Sequence, residues 1–201
     1  MPTLIFDLSE VLIAGLLGIE NPIAARLQLD PKNILRAFAG QPLQDICCGR
    51  LSENEYLTEI IQRQQWDLPL DLLKHIIRDN FHQCVPGMVD LITQMAEQSE
   101  LILLSDHAIE WIEYIHTIHP FLGLFKKQFF SFELKQTKQE PSTFQKVLRM
   151  LGREPEECLF VDDSAKNVSV AASIGLPGIQ FTTVDALKRE FAMRGVGCYG
   201  D

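Results

Sequence analysis

Short, uninterrupted apolar runs alternate with amphipathic stretches along most of this chain. Thr3-Leu4-Ile5-Phe6 leads into Asp7, and comparable runs recur at Leu101–Leu104, Gln128–Phe132, Cys158–Val161 and Gly178–Phe181. Apolar runs without polar alternation suit strands buried on both faces. Between the later runs, apolar residues return every three or four positions. That spacing predicts helices over Ala108–Ile118, Pro141–Leu151, Ser164–Ile174 and Val184–Met193. Pro141 suits a first helical turn, Ser164 an N-cap, and Gly152 and Gly175 helix stops. Strands alternating with helices predict an α/β fold, a Rossmann-like three-layer arrangement with a parallel sheet covered on both faces.

The segment from about Gly15 to Cys84 breaks this rhythm. Helical patterns cover Pro22–Leu27, Pro31–Phe38, Glu53–Gln65 and Leu70–Phe81, with no strand pattern among them. Ser52 followed three residues later by Glu55 is a capping-box start. Pro86-Gly87 then returns the chain to the αβ pattern with a helix from Met88 to about Glu97. The expected organisation is an α/β core of residues 1–14 and 85–201, with an all-helical cap of residues 15–84 inserted after the first strand.

Charge and composition narrow the partners. A chain that is 46% hydrophobic can bury a substantial core. With 18 basic against 27 acidic residues the formal net charge is −9. General nucleic-acid binding needs a basic footprint, so none is expected. A small anionic ligand stays compatible, because a pocket can be positive on an acidic protein. The longest uncharged apolar stretch, Val11 to Ile19, is about half of the roughly 20 residues a membrane helix needs. It lacks a preceding basic segment, so neither a membrane span nor a signal peptide is expected. Cys47, Cys48, Cys84, Cys158 and Cys198 are odd in number and have no metal-ligand spacing, so reduced thiols and a cytoplasmic setting are expected. Oligomeric state is not legible.

Polar residues stand where the apolar runs end. The first run ends at Asp7, the second at Ser105-Asp106 and the fourth at Asp162-Asp163, while Lys138 follows the third and precedes the helix opened by Pro141. Any one such acid reads equally well as a turn or cap residue. Together they lie where ligands bind in open parallel sheets, beyond the carboxyl ends of the strands. Three carboxylates converging on one crevice repel each other unless a cation holds them. Hard oxygen ligands suit Mg²⁺, which also accepts substrate phosphate as a ligand. A lysine and a hydroxyl suit the remaining phosphate oxygens, and an Asp in line with phosphorus can act as a covalent nucleophile.

Leu4–Leu12 reads LIFDLSEVL, Leu101–Ser105 reads LILLS, Lys138–Phe144 reads KQEPSTF, and LFVDDSAKNV is followed by AASIG. In content and order these resemble the four motifs of the haloacid dehalogenase superfamily, whose members are mostly Mg²⁺-dependent phosphatases. The stretch GRLSENEY is similar to the cap of the sugar-phosphate phosphatase-like branch, which includes the N-terminal domain of soluble epoxide hydrolases. The resemblance implies a small phosphorylated substrate and an aspartyl-phosphate intermediate. It implies Asp7 as nucleophile and metal ligand, with Ser105 and the following backbone N–H, residue Asp106 included, binding the phosphoryl group. Lys138 would neutralise that group. The Mg²⁺ ligands would be Asp7, the backbone carbonyl of Ser9, Asp163 directly and Asp162 as a second acid, with Asn167 behind them.

One position departs from the family pattern. The second acid of D-x-D-G, which protonates the leaving group and later activates water, is Ser9, and the following glycine is Glu10. A serine hydroxyl is neither acidic nor basic enough for that role near neutral pH. General acid–base assistance is typically worth about 10²–10⁴-fold, so slow phosphate transfer is expected, with Asp106 or Glu10 as stand-ins. A catalytically weak phosphate-ligand or partner-binding protein is the alternative. A 2-haloacid dehalogenase is a third, although SDHA at 105–108 does not match the S-N-G of those enzymes. His107 is a candidate to reach the crevice. His116 and His119 read as solvated helix-end residues, Trp111 and Tyr114 as packing, and Arg50 and Tyr56 as ordinary cap residues with an outside claim on substrate.

Overall fold

A computed structural model describes residues 2–197 of the 201; Cys198 lies outside the described residues. Five parallel strands form the sheet: β1 (Thr3–Phe6), β2 (Leu101–Ser105), β3 (Lys127–Phe130), β4 (Cys158–Asp162) and β5 (Gly178–Gln180), in the order β3-β2-β1-β4-β5. Alternate residues of the strands enter two separate apolar clusters. Leu4 and Phe6 join one, and Ile5 joins the other. Helices α6 (Met88–Ala96), α7 (Ile109–Ile118) and α11 (Val184–Met193) pack on the first face. Helices α9 (Pro141–Leu151) and α10 (Ala165–Ala172) pack on the second. Three layers result, and each fully buried Leu, Ile or Phe side chain contributes roughly 1.5–3 kcal/mol.

Between β1 and α6 lie five helices: α1 (Glu20–Leu27), α2 (Pro31–Phe38), α3 (Gln41–Cys47), α4 (Glu53–Gln64) and α5 (Leu70–Phe81). The chain enters and leaves this segment through one antiparallel contact. Ile13 bridges Cys84, Ala14 N–H donates to the Gln83 carbonyl at 2.8 Å, and Val85 N–H donates to the Leu12 carbonyl at 2.9 Å. The buried Asn80 amide donates to the carbonyls of Gly15 and Leu17, at 2.9 and 2.8 Å, and so fastens the end of α5 to the start of the segment.

Two sequence expectations need correcting. The third apolar run stops as a strand at Phe130, because its partner β2 ends at the Ser105–Phe130 pairing. Ser131 then opens a single helical turn, α8 (Ser131–Leu134), and its hydroxyl donates to the Cys47 carbonyl at 2.5 Å. Helix α3 has no counterpart among the predicted elements. It buries only Ile46 and Cys47, so seven residues carry too weak a periodicity to read. Among the described residues no helix is long and apolar enough to cross a membrane.

Candidate active site

Strands β1, β2 and β4 are neighbours, and the chain passes to opposite sides of β1 to form β2 and β4. Their carboxyl ends therefore frame the crevice created where strand order reverses. Phe6 pairs with Val161, so Asp7 and Asp162 follow side by side. One carboxylate oxygen from each of Asp7, Asp162 and Asp163 lies within 4.8 Å of the others. Asp7 and Asp162 are buried, and Asp163 is half-buried.

Lys138 reaches this cluster from the loop before α9. It is 1% exposed, and its Nζ lies 2.6 Å from Asp7 Oδ1 and 2.7 Å from Asp162 Oδ2. Burial alone would lower the Lys138 ammonium, but Asp7, Asp162 and Asp106 outweigh it and hold it above the ordinary lysine range. Burial drives the Asp7 carboxyl well above the usual carboxylate range; Lys138 opposes this and Asp162 adds to it. Burial, then Asp162, raises Asp163 as well. Three carboxylates against one ammonium leave the cluster short of positive charge, and a hard divalent cation fits that donor set. Asp162 is also pinned from behind: its Oδ1 accepts from Ser164 N–H at 2.8 Å and from the Asn167 amide at 3.1 Å.

Ser105 and Asp106 differ in what they do. The Ser105 hydroxyl is fully buried and has no hydrogen-bond partner among the described residues. An orphaned hydroxyl at this point suits a ligand oxygen, since burying it unpaired is costly. Asp106 accepts the Lys138 backbone N–H with both oxygens, at 3.1 and 3.0 Å, and so shapes the loop that presents the lysine. Burial raises its carboxyl to about 6, against the pull of Lys138.

Residues 9 and 10 form the other wall. Glu10 occupies a left-handed backbone conformation (φ 61°), where a glycine is relaxed and a side chain is strained. Its Oε1 accepts the N–H groups of Gly15 and Leu17, at 2.8 and 3.2 Å, which closes the loop. Gly15 passes so near that a Cβ there would meet Ser9 Cβ at 2.7 Å. Ser9 Oγ lies 3.1 Å from His107 Nε2. His107 is buried edge-on to Phe81 and Trp111, and its Nδ1 has no partner among the described residues. Burial, with Lys138 adding to it, lowers the imidazole to about 3, so it is neutral.

A cavity of about 260 Å³ opens beside Ser9, Asp106 and Thr137, between the sheet and the helical segment. Leu43, Gln44 and Gln139 also line it; no sequence signal marks these three. Arg50 turns away to Asp45 at 2.7 Å, and Tyr56 is buried with its hydroxyl on the Phe38 carbonyl, so neither lines the cavity. His119 is not solvated as expected. It is buried, with Nε2 2.7 Å from the Phe81 carbonyl, because the chain leaving α5 packs over it. His116 is exposed.

Comparisons with known proteins find relatives of similar sequence and fold. Over 197 residues the chain is 24% identical to flavin mononucleotide hydrolase 1 of Arabidopsis thaliana, named as chloroplastic, covering 98% of this chain and 78% of that protein. Its fold matches a HAD family enzyme from Bacteroides thetaiotaomicron solved with magnesium and inorganic phosphate. That match has a TM-score of 0.78 and 21% identity, and covers 95% of this chain and 99% of the other. A dehalogenase solved with an intermediate is similar in fold at a TM-score of 0.75 and 14% identity, covering 96% of each chain. The family model for haloacid dehalogenase-like hydrolases matches residues 1–175, and the chain belongs to that family.

Proposed function

We propose that this hydrolase is a Mg²⁺-dependent phosphomonoesterase acting on a small phosphorylated metabolite, with residues 15–84 as the cap over its site. The observation that carries the reading is the cluster of Asp7, Asp162 and Asp163, with Lys138 bridging the two buried acids Asp7 and Asp162, beside the unpartnered hydroxyl of Ser105. Asp7, the Ser9 carbonyl, Asp162 and Asp163 would hold the metal. When bound, Mg²⁺ supplies positive charge that offsets the repulsion between carboxylate and phosphate. Lys138 and the Leu8 N–H fix Asp7 through Oδ1, at 2.6 and 2.7 Å, which orients the carboxylate for attack on phosphorus. Ser105 donates its hydroxyl to a phosphoryl oxygen, and Lys138 shares its charge between that group and Asp162. Water then releases phosphate from the aspartyl-phosphate and restores Asp7.

A specific observation supports a second reading, a weakly catalytic phosphate-ligand binder. Residue 9 carries a hydroxyl tied to a neutral imidazole where proton transfer calls for a carboxylate. Phosphate release from a panel of phosphomonoesters, flavin mononucleotide included, separates the two. Turnover that needs Mg²⁺ and stops with chelator supports the enzyme. Saturable binding of phosphate esters without turnover supports the binder.

A further inference from the structure

We infer that the leaving group accepted here is an uncharged, mainly apolar ring joined to phosphate through an aryl or enol oxygen. This rests on the phosphomonoesterase reading and adds the substrate class. The cavity that adjoins the phosphate position is walled by Leu16, Leu17, Leu43, Cys47, Phe81 and Trp111. Phe81, His107 and Trp111 stand mutually edge-on, with centroids 5.6 to 5.9 Å apart, and back the cavity as a buried aromatic cluster behind the more exposed Leu16, Leu17 and Leu43. Ser9, Gln44, Asp106, Thr137 and Gln139 add polar groups, but most of the wall is apolar, so a polyol placed there would recover only part of its water hydrogen bonds.

Charge restricts the class further. No lysine or arginine is among the described residues that line the cavity, whereas the carboxylates of Glu10 and Asp106 are. A second phosphate or a carboxylate on the leaving group would be desolvated without a counter-ion and held near like charge. About 260 Å³ leaves room for a ring-sized group.

Residue 9 sets the chemistry of the leaving oxygen. Asp7 bonds to phosphorus as the phosphorus–oxygen bond to the leaving group breaks, and the electron pair departs with that oxygen. The Ser9 hydroxyl, on His107 Nε2 at 3.1 Å, can hydrogen-bond the departing oxygen but cannot protonate it fully. Aryl and enol oxygens leave as anions and take a proton from solvent afterwards. Water then attacks phosphorus, its two hydrogens leaving on the phosphate as Asp7 regains its carboxylate.

The test uses the full chain with saturating Mg²⁺ and compares kcat/KM across four groups of esters. These are neutral aryl phosphates of graded leaving-group acidity, carboxyphenyl phosphate, phenethyl phosphate (the same ring on an alkyl oxygen), and a hexose phosphate alongside flavin mononucleotide. The neutral aryl esters should exceed the alkyl esters by about 100-fold or more, with a steep dependence on leaving-group acidity. They should exceed carboxyphenyl phosphate by about tenfold. Alkyl esters or flavin mononucleotide turned over as fast as aryl esters, or carboxyphenyl phosphate as fast as its neutral relatives, would overturn the inference and leave the phosphomonoesterase standing. No turnover of any ester would overturn both.

Discussion

Two charge clusters, one at the strand ends and one in the helical segment, are built to different ends. At the strand ends, Asp7, Asp162 and Asp163 stand together, and the single ammonium of Lys138 pairs with Asp7 and Asp162. On the helical side, Glu53 is 2% exposed and takes both guanidinium arms of Arg78 at 2.8 Å, the indole N–H of Trp111 at 2.9 Å, and Lys74 at 3.6 Å. Glu53 has more positive charge around it than it needs, and Arg78 and Lys74 keep part of their surface in water. The Glu53 cluster is complete, whereas the cluster at the strand ends lacks positive charge. Burial of charge therefore does not by itself mark a functional site; a set whose charges are left unbalanced does so better.

The first way to break this contrast is to remove one carboxylate from each cluster. Asp7→Asn should lower phosphate release by at least about 10³-fold, since nucleophile and metal ligand go together. Its stability should not suffer. Asp7 is held above its unfolded value, so its stabilising contribution is present below the unfolded value of 3.8 and is lost as pH rises through the folded one. At pH 7 in metal-free buffer, thermal melting of Asp7→Asn should match or exceed that of wild type, and the difference should close towards pH 4. Glu53→Ala should do the reverse. It strands Arg78 and Lys74 and frees the Trp111 indole, for a loss of about 2–3 kcal/mol in urea unfolding after discounting the exposed heads.

The same contrast predicts a metal response on one side only. Mg²⁺ at about 100 times its Kd should stabilise the fold by about 2.7 kcal/mol through linkage. For a chain of this size, that is several degrees in Tm. Asp163→Asn should remove most of the rise. Glu53→Ala, though less stable, should keep it, and equal loss in both variants would place the metal elsewhere.

The two clusters were unequally legible in the sequence. Every member of the first ends an apolar strand or precedes a helix, so local pattern alone placed Asp7, Ser105, Lys138 and Asp162-Asp163 at one end of one sheet. The second depends on separation. Glu53 and Trp111 are 58 residues apart, and Ser9 and His107 are 98 apart, and no periodicity reports such pairs. Glu53 reads locally as one acid in a helix's first turn. His107 stood out only because it follows Ser105-Asp106, and its bond to Ser9 needed the register of β1 beside β2. The stop of β3 at Phe130 was likewise set by the length of its neighbour rather than by its own residues.

The smallest effect is expected at Ser9. Ser9→Asp places a carboxylate where the hydroxyl now meets His107, facing a cavity with room for the two added atoms. The opposite side offers none, because Gly15 already passes against Ser9 Cβ. A carboxylic acid in that place can give a proton to a leaving oxygen and later take one from water. Alkyl phosphates gain most from the first step, so their kcat/KM should rise by about tenfold or more. Aryl phosphates, which leave without protonation, should gain less. If breakdown of the aspartyl-phosphate limits wild type, a burst of product should precede its steady state, and both ester classes should speed up in the variant. No gain with either class, in a folded variant that keeps its Mg²⁺-dependent rise in Tm, would mean that proton transfer is not what residue 9 withholds. Either another group already supplies the proton, or the chain binds phosphate esters rather than hydrolysing them.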